Sequence, residues 1–140
     1  MHGRRTCAGG RRRGAVYDGL TTMSLNVDLD AASEAGLYII PEICWGPRRC
    51  ELDDPERLKF LFEWVRGHAR RLAGHPSVLM YSVGNEIPPL LVRWHGRENV
   101  ERHIRTMYDI VKEEVSDGLV TYSNHPPAEH LNLGFLDFVS

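Results

Sequence analysis

Three short apolar runs, Leu37-Tyr38-Ile39-Ile40, Val78-Leu79-Met80-Tyr81-Ser82-Val83 and Leu119-Val120-Thr121-Tyr122, recur at even spacing, each bounded by turn-forming residues. Runs this short, with little alternation, suit strands covered on both faces. Helical patterns fill the intervals. Residues 28–35 predict a short helix ended by Gly36. Asp54-Pro55 opens a longer one, with Asp54 as N-cap and Pro55 in the first turn. Leu58, Leu61, Phe62, Val65, Ala69 and Leu72 then fall on one apolar stripe. Arg57, Lys59, Arg66, Arg70 and Arg71 lie off that stripe and predict a solvated face, and Gly74 ends the helix. A second long helix is expected over 97–115, with Val100, Ile104, Met107, Tyr108, Val111 and Val115 on one side. Residues 135–139 begin a fourth strand. Even spacing without a repeated sequence excludes a solenoid. Strands alternating with amphipathic helices predict an α/β fold with a parallel sheet.

Two architectures fit that alternation, a doubly wound sheet and a (β/α)8 barrel, and the strand ends separate them. A nucleotide-binding sheet places a glycine-rich phosphate loop after its first strand, and no GxGxxG or P-loop occurs here. The strand ends carry Pro41-Glu42-Ile43-Cys44-Trp45, Gly84-Asn85-Glu86 and Ser123-Asn124-His125 instead. Acids and amides bond sugar hydroxyls, and aromatic faces stack on sugar C–H surfaces. That set of residues favours a barrel with a carbohydrate site at its catalytic face, while a doubly wound sheet whose phosphate loop follows an earlier strand stays open.

Composition narrows the partners. The formal net charge of −2 argues for neither nucleic acid nor a membrane surface, although the first 20 residues hold five arginines and only Asp18 as an acid. This head has too little apolar surface to offset its ordering entropy. Residues 1–23 are therefore expected to be a basic, disordered leader or an artefact of the assigned start, and 24–140 to be the folded part. No signal peptide or membrane-spanning run is evident, which makes the cytoplasm the default compartment. Cys7, Cys44 and Cys50 show no CxxC pairing, and the histidines are scattered singly. No metal site and no cofactor are expected.

The segment His75-Pro76-Ser77-Val78-Leu79-Met80-Tyr81-Ser82-Val83-Gly84-Asn85-Glu86 resembles the fourth-strand signature of glycoside hydrolase clan A, in the wording of the family 2 β-glycosidases. Ala35 to Glu42 resembles the third strand of that barrel, Leu119 to Asn124 the fifth, and Asp137-Phe138-Val139-Ser140 the opening of the sixth. The resemblance implies a partial (β/α)8 TIM barrel of about four βα units, with the sixth strand incomplete. It implies a retaining glycosidase in which Glu86 is the general acid/base and Asn85 binds the sugar 2-hydroxyl. The alternative for this pair is a helix-capping amide beside a surface acid.

Retention requires two carboxyl groups about 5–5.5 Å apart, one protonating the leaving oxygen and the other forming a glycosyl-enzyme intermediate. The Ile87-Pro88-Pro89 segment is expected to be a rigid apolar loop that buries the Glu86 carboxyl in part. Glu42 has two readings, a group that binds substrate or supports Glu86, and a strand-end acid paired with Arg48 or Arg49. Trp45 is a sugar platform or a tryptophan packed beneath a loop. Trp94 and His95 fall in the loop after the Glu86 strand, facing substrate or anchoring that loop. His125 faces the site or caps a turn, and Trp64 is expected in the core.

In clan A the nucleophile is a seventh-strand glutamate, and no glutamate follows Glu129 here. The expectation is a fragment of a larger protein, inactive alone, whose open barrel edges invite self-association. The partner is then a carbohydrate substrate. A second reading makes the segment a carbohydrate-binding or positioning barrel of a larger glycosyltransferase or cell-envelope protein, since the pattern also resembles clan-A barrels fused to glycosyltransferases.

Overall fold

The computed structural model describes residues 15–18, 29–43, 52–124 and 130–139. Strand β1 (Ala15–Asp18) is followed by helix α1 (Leu29–Glu34) and strand β2 (Tyr38–Pro41). Helix α2 (Pro55–Leu72) leads to strand β3 (Tyr81–Asn85). Helices α3 (Pro89–His95) and α4 (Arg97–Glu114) precede strands β4 (Val120–Ser123) and β5 (Phe138–Val139).

The strands are parallel and succeed one another in chain order. β1 pairs with β2, and β3 with β4 and then β5. Backbone bonds join the two groups: Ile39 N–H donates to the Ser77 carbonyl at 2.7 Å, and Leu79 N–H to the Ile39 carbonyl at 2.9 Å. Ile43 N–H reaches the Ser82 carbonyl at 2.9 Å. A doubly wound sheet reverses its strand order at a switch point, and this sheet does not. Sequential parallel neighbours with helical crossovers are the order of a (β/α)8 barrel, of which this is a part.

Local sequence explains the elements. The Asp54 carboxylate accepts the Glu56 and Arg57 N–H groups, each at 3.1 Å, and Pro55 occupies the first helical position. Gly36 and Gly74 take φ of 70° and 72°, left-handed conformations that a side chain disfavours. The apolar stripe of α2 buries Leu61, Val65, Ala69 and Leu72, and α4 buries Val100, Ile104, Met107 and Val111. These side chains share one core with Tyr81, Val83, Val120 and Tyr122. The helices therefore cover one face of the sheet, and Tyr81 and Val83 of β3 point toward them.

Three expectations need correction. Ala15–Asp18, inside the supposed disordered leader, is a strand aligned with Tyr38–Pro41. The free edge of β2 supplies the backbone partners that composition cannot reveal. The rest of 1–23 lies outside the described residues. Arg66 and Arg70 are not merely solvated: Arg66 Nη2 lies 2.8 Å from Glu113 Oε2, and Arg70 Nε lies 2.5 Å from Glu114 Oε2. Those hydrogen bonds clamp α2 to α4, raising the pKa of both arginines and lowering that of Glu114. Trp64 is half-buried, its ring 4.2 Å from that of His68, one turn further along α2.

Candidate active site

The Asn85-Glu86 pair sits where β3 leaves the sheet, and an irregularity in β3 sets its aim. Ser82 lies opposite Thr121 and Asn85 opposite Ser123, so Val83 and Gly84 together face Tyr122 alone. One extra residue on one strand is a β-bulge, which bends the strand and redirects the side chains after it. Ser82 Oγ, fully buried, donates to the Gly84 carbonyl at 3.0 Å and holds the bulge closed. A Cβ on Gly84 would meet Tyr122 Cε2 at 3.1 Å and Cδ2 at 3.2 Å. Glycine is needed there because the Tyr122 ring lies against the backbone.

The turn that follows is strained and tied down. Glu86 has φ of 47°, and among the described residues no other non-glycine residue has a positive φ. That conformation costs a residue with a side chain about 1–2 kcal/mol and persists only where neighbouring contacts impose it. Two such contacts are present. Glu86 N–H donates to the Ser123 carbonyl at 2.8 Å, and Ile87 N–H donates to the Tyr122 hydroxyl oxygen at 2.9 Å. Ile87 is thereby turned into the core at 5% exposure, and Glu86 is turned outward. The expected partial burial of Glu86 is not found: its side chain is exposed, because the same turn that buries Ile87 directs the preceding residue away from the core.

The other anticipated residues divide into three groups. Glu42 follows β2, is half-buried, and pairs through its backbone with Ser82 of β3. Asn85 is half-buried at the end of β3, and Ser123 and Asn124 are half-buried at the end of β4. Three neighbouring strands thus deliver Glu42, Asn85-Glu86 and Ser123-Asn124 to the same edge of the sheet, the C-terminal edge where barrel sites form.

Trp94 lies on α3 rather than in a loop, and 77% of it is exposed. Pro88 at the N-cap and Pro89 at the first position start this helix, so the prolines expected to stiffen a loop open a helix instead. His95, on the next position, turns inward and places Nδ1 3.3 Å from Asp53 Oδ2. Trp45 and His125 lie outside the described residues, as do Arg48 and Arg49.

Sequence reasoning missed two groups, one at this edge and one between the helices. Tyr122 read as a strand aromatic, and nothing in the chain signals that its hydroxyl returns to the Glu86 turn. His103 is 6% exposed, with its ring 5.6 Å from that of Phe62. Burial and the nearby His95 push its pKa down to about 4. Among the described residues no cluster of three His, Cys, Asp or Glu side chains is arranged to hold a metal ion. No helix among them is long and apolar enough to cross a membrane.

Comparison with known proteins agrees with this fold. Two solved structures of GH5_18 from Streptomyces cattleya share the fold at 23% identity, one a single-substitution form in complex with Manβ1-4GlcNAc, the other in complex with GlcNAc. Their TM-scores are 0.58 and 0.53, and each match covers 69% of this chain and 28% of the other. The chain therefore spans little more than a quarter of the length of those structures. No curated protein matches it. The model of the glycosyl hydrolases family 2 TIM barrel domain matches residues 29–139, from the first residue of α1 to the last of β5, and the chain belongs to that family.

Proposed function

We propose that this chain supplies the acid/base half of a retaining O-glycosidase site. Glu86 acts as the general acid and then the general base, and Asn85 bonds the 2-hydroxyl of the sugar. The observation that carries the reading is the bulged, left-handed turn that holds Asn85-Glu86 at the C-terminal edge of the parallel sheet. Strained backbone retained at a strand end is a feature of working sites rather than of idle turns. Family membership supports the same chemistry, and the sugars bound by the two GH5_18 structures suggest the first ligands to try.

In the first step the Glu86 carboxyl gives its proton to the glycosidic oxygen while a second carboxylate attacks the anomeric carbon. In the second step Glu86 takes a proton from water as water displaces that carboxylate. The second carboxylate lies outside this sequence, so the chain alone is expected to bind sugar without turnover. Glu42, on the neighbouring strand, contacts the sugar or supports Glu86, and Trp94 offers an exposed indole as a stacking platform. Trp45 and His125 are proposed to contact the same substrate.

The test has two arms. The isotopically labelled chain is titrated with GlcNAc and Manβ1-4GlcNAc, and the Asn85 and Glu86 amide signals are expected to shift in wild type and not in Asn85→Ala. In a complete barrel carrying this sequence, Glu86→Gln is expected to slow hydrolysis of aryl glycosides with poor leaving groups by roughly 10²–10⁴-fold, the usual contribution of general acid catalysis. Wild-type turnover in that variant would remove Glu86 from the mechanism.

A further inference from the structure

We infer that Tyr122 is a positioning residue for Glu86, acting through the backbone rather than on the sugar. This rests on the acid/base reading of Glu86 only for its consequence; the mechanical part stands on its own. Tyr122 is fully buried, on the strand next to the one that ends in Asn85. Its ring occupies the space a Gly84 side chain would need, and its hydroxyl oxygen accepts the Ile87 N–H. One side chain therefore touches the residue two before Glu86 and the residue directly after it.

The peptide joining Glu86 to Ile87 is the lever. Glu86 holds a left-handed φ that its own side chain disfavours, so the turn relaxes unless both flanks are held. Glu86 N–H is held by the Ser123 carbonyl, which follows Tyr122 directly in sequence. Ile87 N–H is held by the Tyr122 hydroxyl. Removing the hydroxyl leaves a buried N–H without this acceptor, and rotation about Glu86 φ, toward the negative values its side chain prefers, is then the motion that frees it. That rotation carries the Glu86 Cβ, and the carboxyl with it, out of the direction the held turn imposes. An ordinary core tyrosine would not need its hydroxyl for this.

Tyr122→Phe separates the two roles, since it keeps the ring and removes only the oxygen. By NMR on the full chain, wild type is expected to show a strong intraresidue HN–Hα cross-peak for Glu86, the mark of left-handed φ, and a protected Ile87 amide. In Tyr122→Phe the Ile87 amide is expected to exchange at least about tenfold faster and the Glu86 cross-peak to weaken, while the amides of Val65 and Ile104 keep their protection. Gly84→Ala, which presses on the ring from the opposite side, is expected to give the same local signature. Unchanged Glu86 and Ile87 signals in Tyr122→Phe would overturn the inference, and so would a uniform loss of protection across α2 and α4. Sugar binding separates this from the functional reading. If wild type binds sugar, Tyr122→Phe is expected to weaken it several-fold, and equal affinity overturns the positioning role. If wild type binds none, the acid/base reading fails while the Glu86 cross-peak still decides the role of Tyr122.

Discussion

Lys112 Nζ lies 2.8 Å from Asp137 Oδ2, and this pair ties α4 to the start of β5. The same carboxylate oxygen accepts the Val120 N–H at 2.9 Å, and Lys112 also donates to the Gly118 carbonyl at 2.7 Å. Burial alone would raise the Asp137 pKa, but the hydrogen bonds from Lys112 and Val120 hold it below the ordinary carboxylate value. A carboxyl with a lowered folded pKa contributes stability above its unfolded pKa and loses it as pH falls through the folded one. Asp137→Asn is predicted to cost about 1.5–3 kcal/mol at neutral pH, the range for a hydrogen bond to a charged group. The deficit is predicted to shrink in acid. Urea denaturation at several pH values reads this, and a deficit that grew as pH fell would contradict it.

His103 sets a second pH dependence with the same direction and a different window. Its folded pKa, about 4, lies below the ordinary histidine value of 6.5. The unfolded chain therefore takes up a proton between those values while the folded chain does not, and stability falls as pH is lowered through that window. One pKa unit corresponds to about 1.36 kcal/mol, so the full effect is roughly 3 kcal/mol. His103→Leu is predicted to flatten the stability profile between pH 6.5 and 4. If the variant and wild type lose stability in parallel there, another group is responsible.

Replacing Glu86 by glycine separates stability from function. Glycine adopts a positive φ without steric cost, so Glu86→Gly relieves the strain of the turn, offset in part by the greater freedom of the unfolded chain. The predicted outcome is a gain of about 0.5–1 kcal/mol in thermal or urea denaturation, with loss of the proposed acid. A clear loss of stability in Glu86→Gly would show that the side chain makes contacts the turn depends on.

The α2–α4 clamp is predicted to be sensitive to salt. Glu114 accepts from both Arg66 and Arg70, and its lowered pKa follows first from the Arg70 hydrogen bond and then from Arg66. Glu114→Gln is predicted to lower the denaturation midpoint at low ionic strength and to differ less from wild type in 1 M salt, where screening is strong. It is also predicted to differ less as pH falls through the lowered pKa, where wild-type Glu114 becomes protonated. A deficit independent of salt would point to packing instead.

What the amino-acid order determined by itself was local. Asp54-Pro55 declared the start of α2, the six-residue apolar stripe declared its buried face, and the bounded apolar runs declared β2, β3 and β4. These signals depend on propensity, capping and periodicity, all of which act within a few residues. The Asn85-Glu86 motif was legible for the same reason, as a contiguous segment. Only the tertiary structure decided the rest. That Ala15–Asp18 is a strand depends on the free edge of β2, and that Arg66 and Arg70 are paired depends on where α4 crosses α2. The bulge opposite Tyr122, the left-handed φ of Glu86 and the hydroxyl that holds Ile87 arise where β3 and β4 meet. Those contacts join residues 35 or more positions apart, and no local pattern records them.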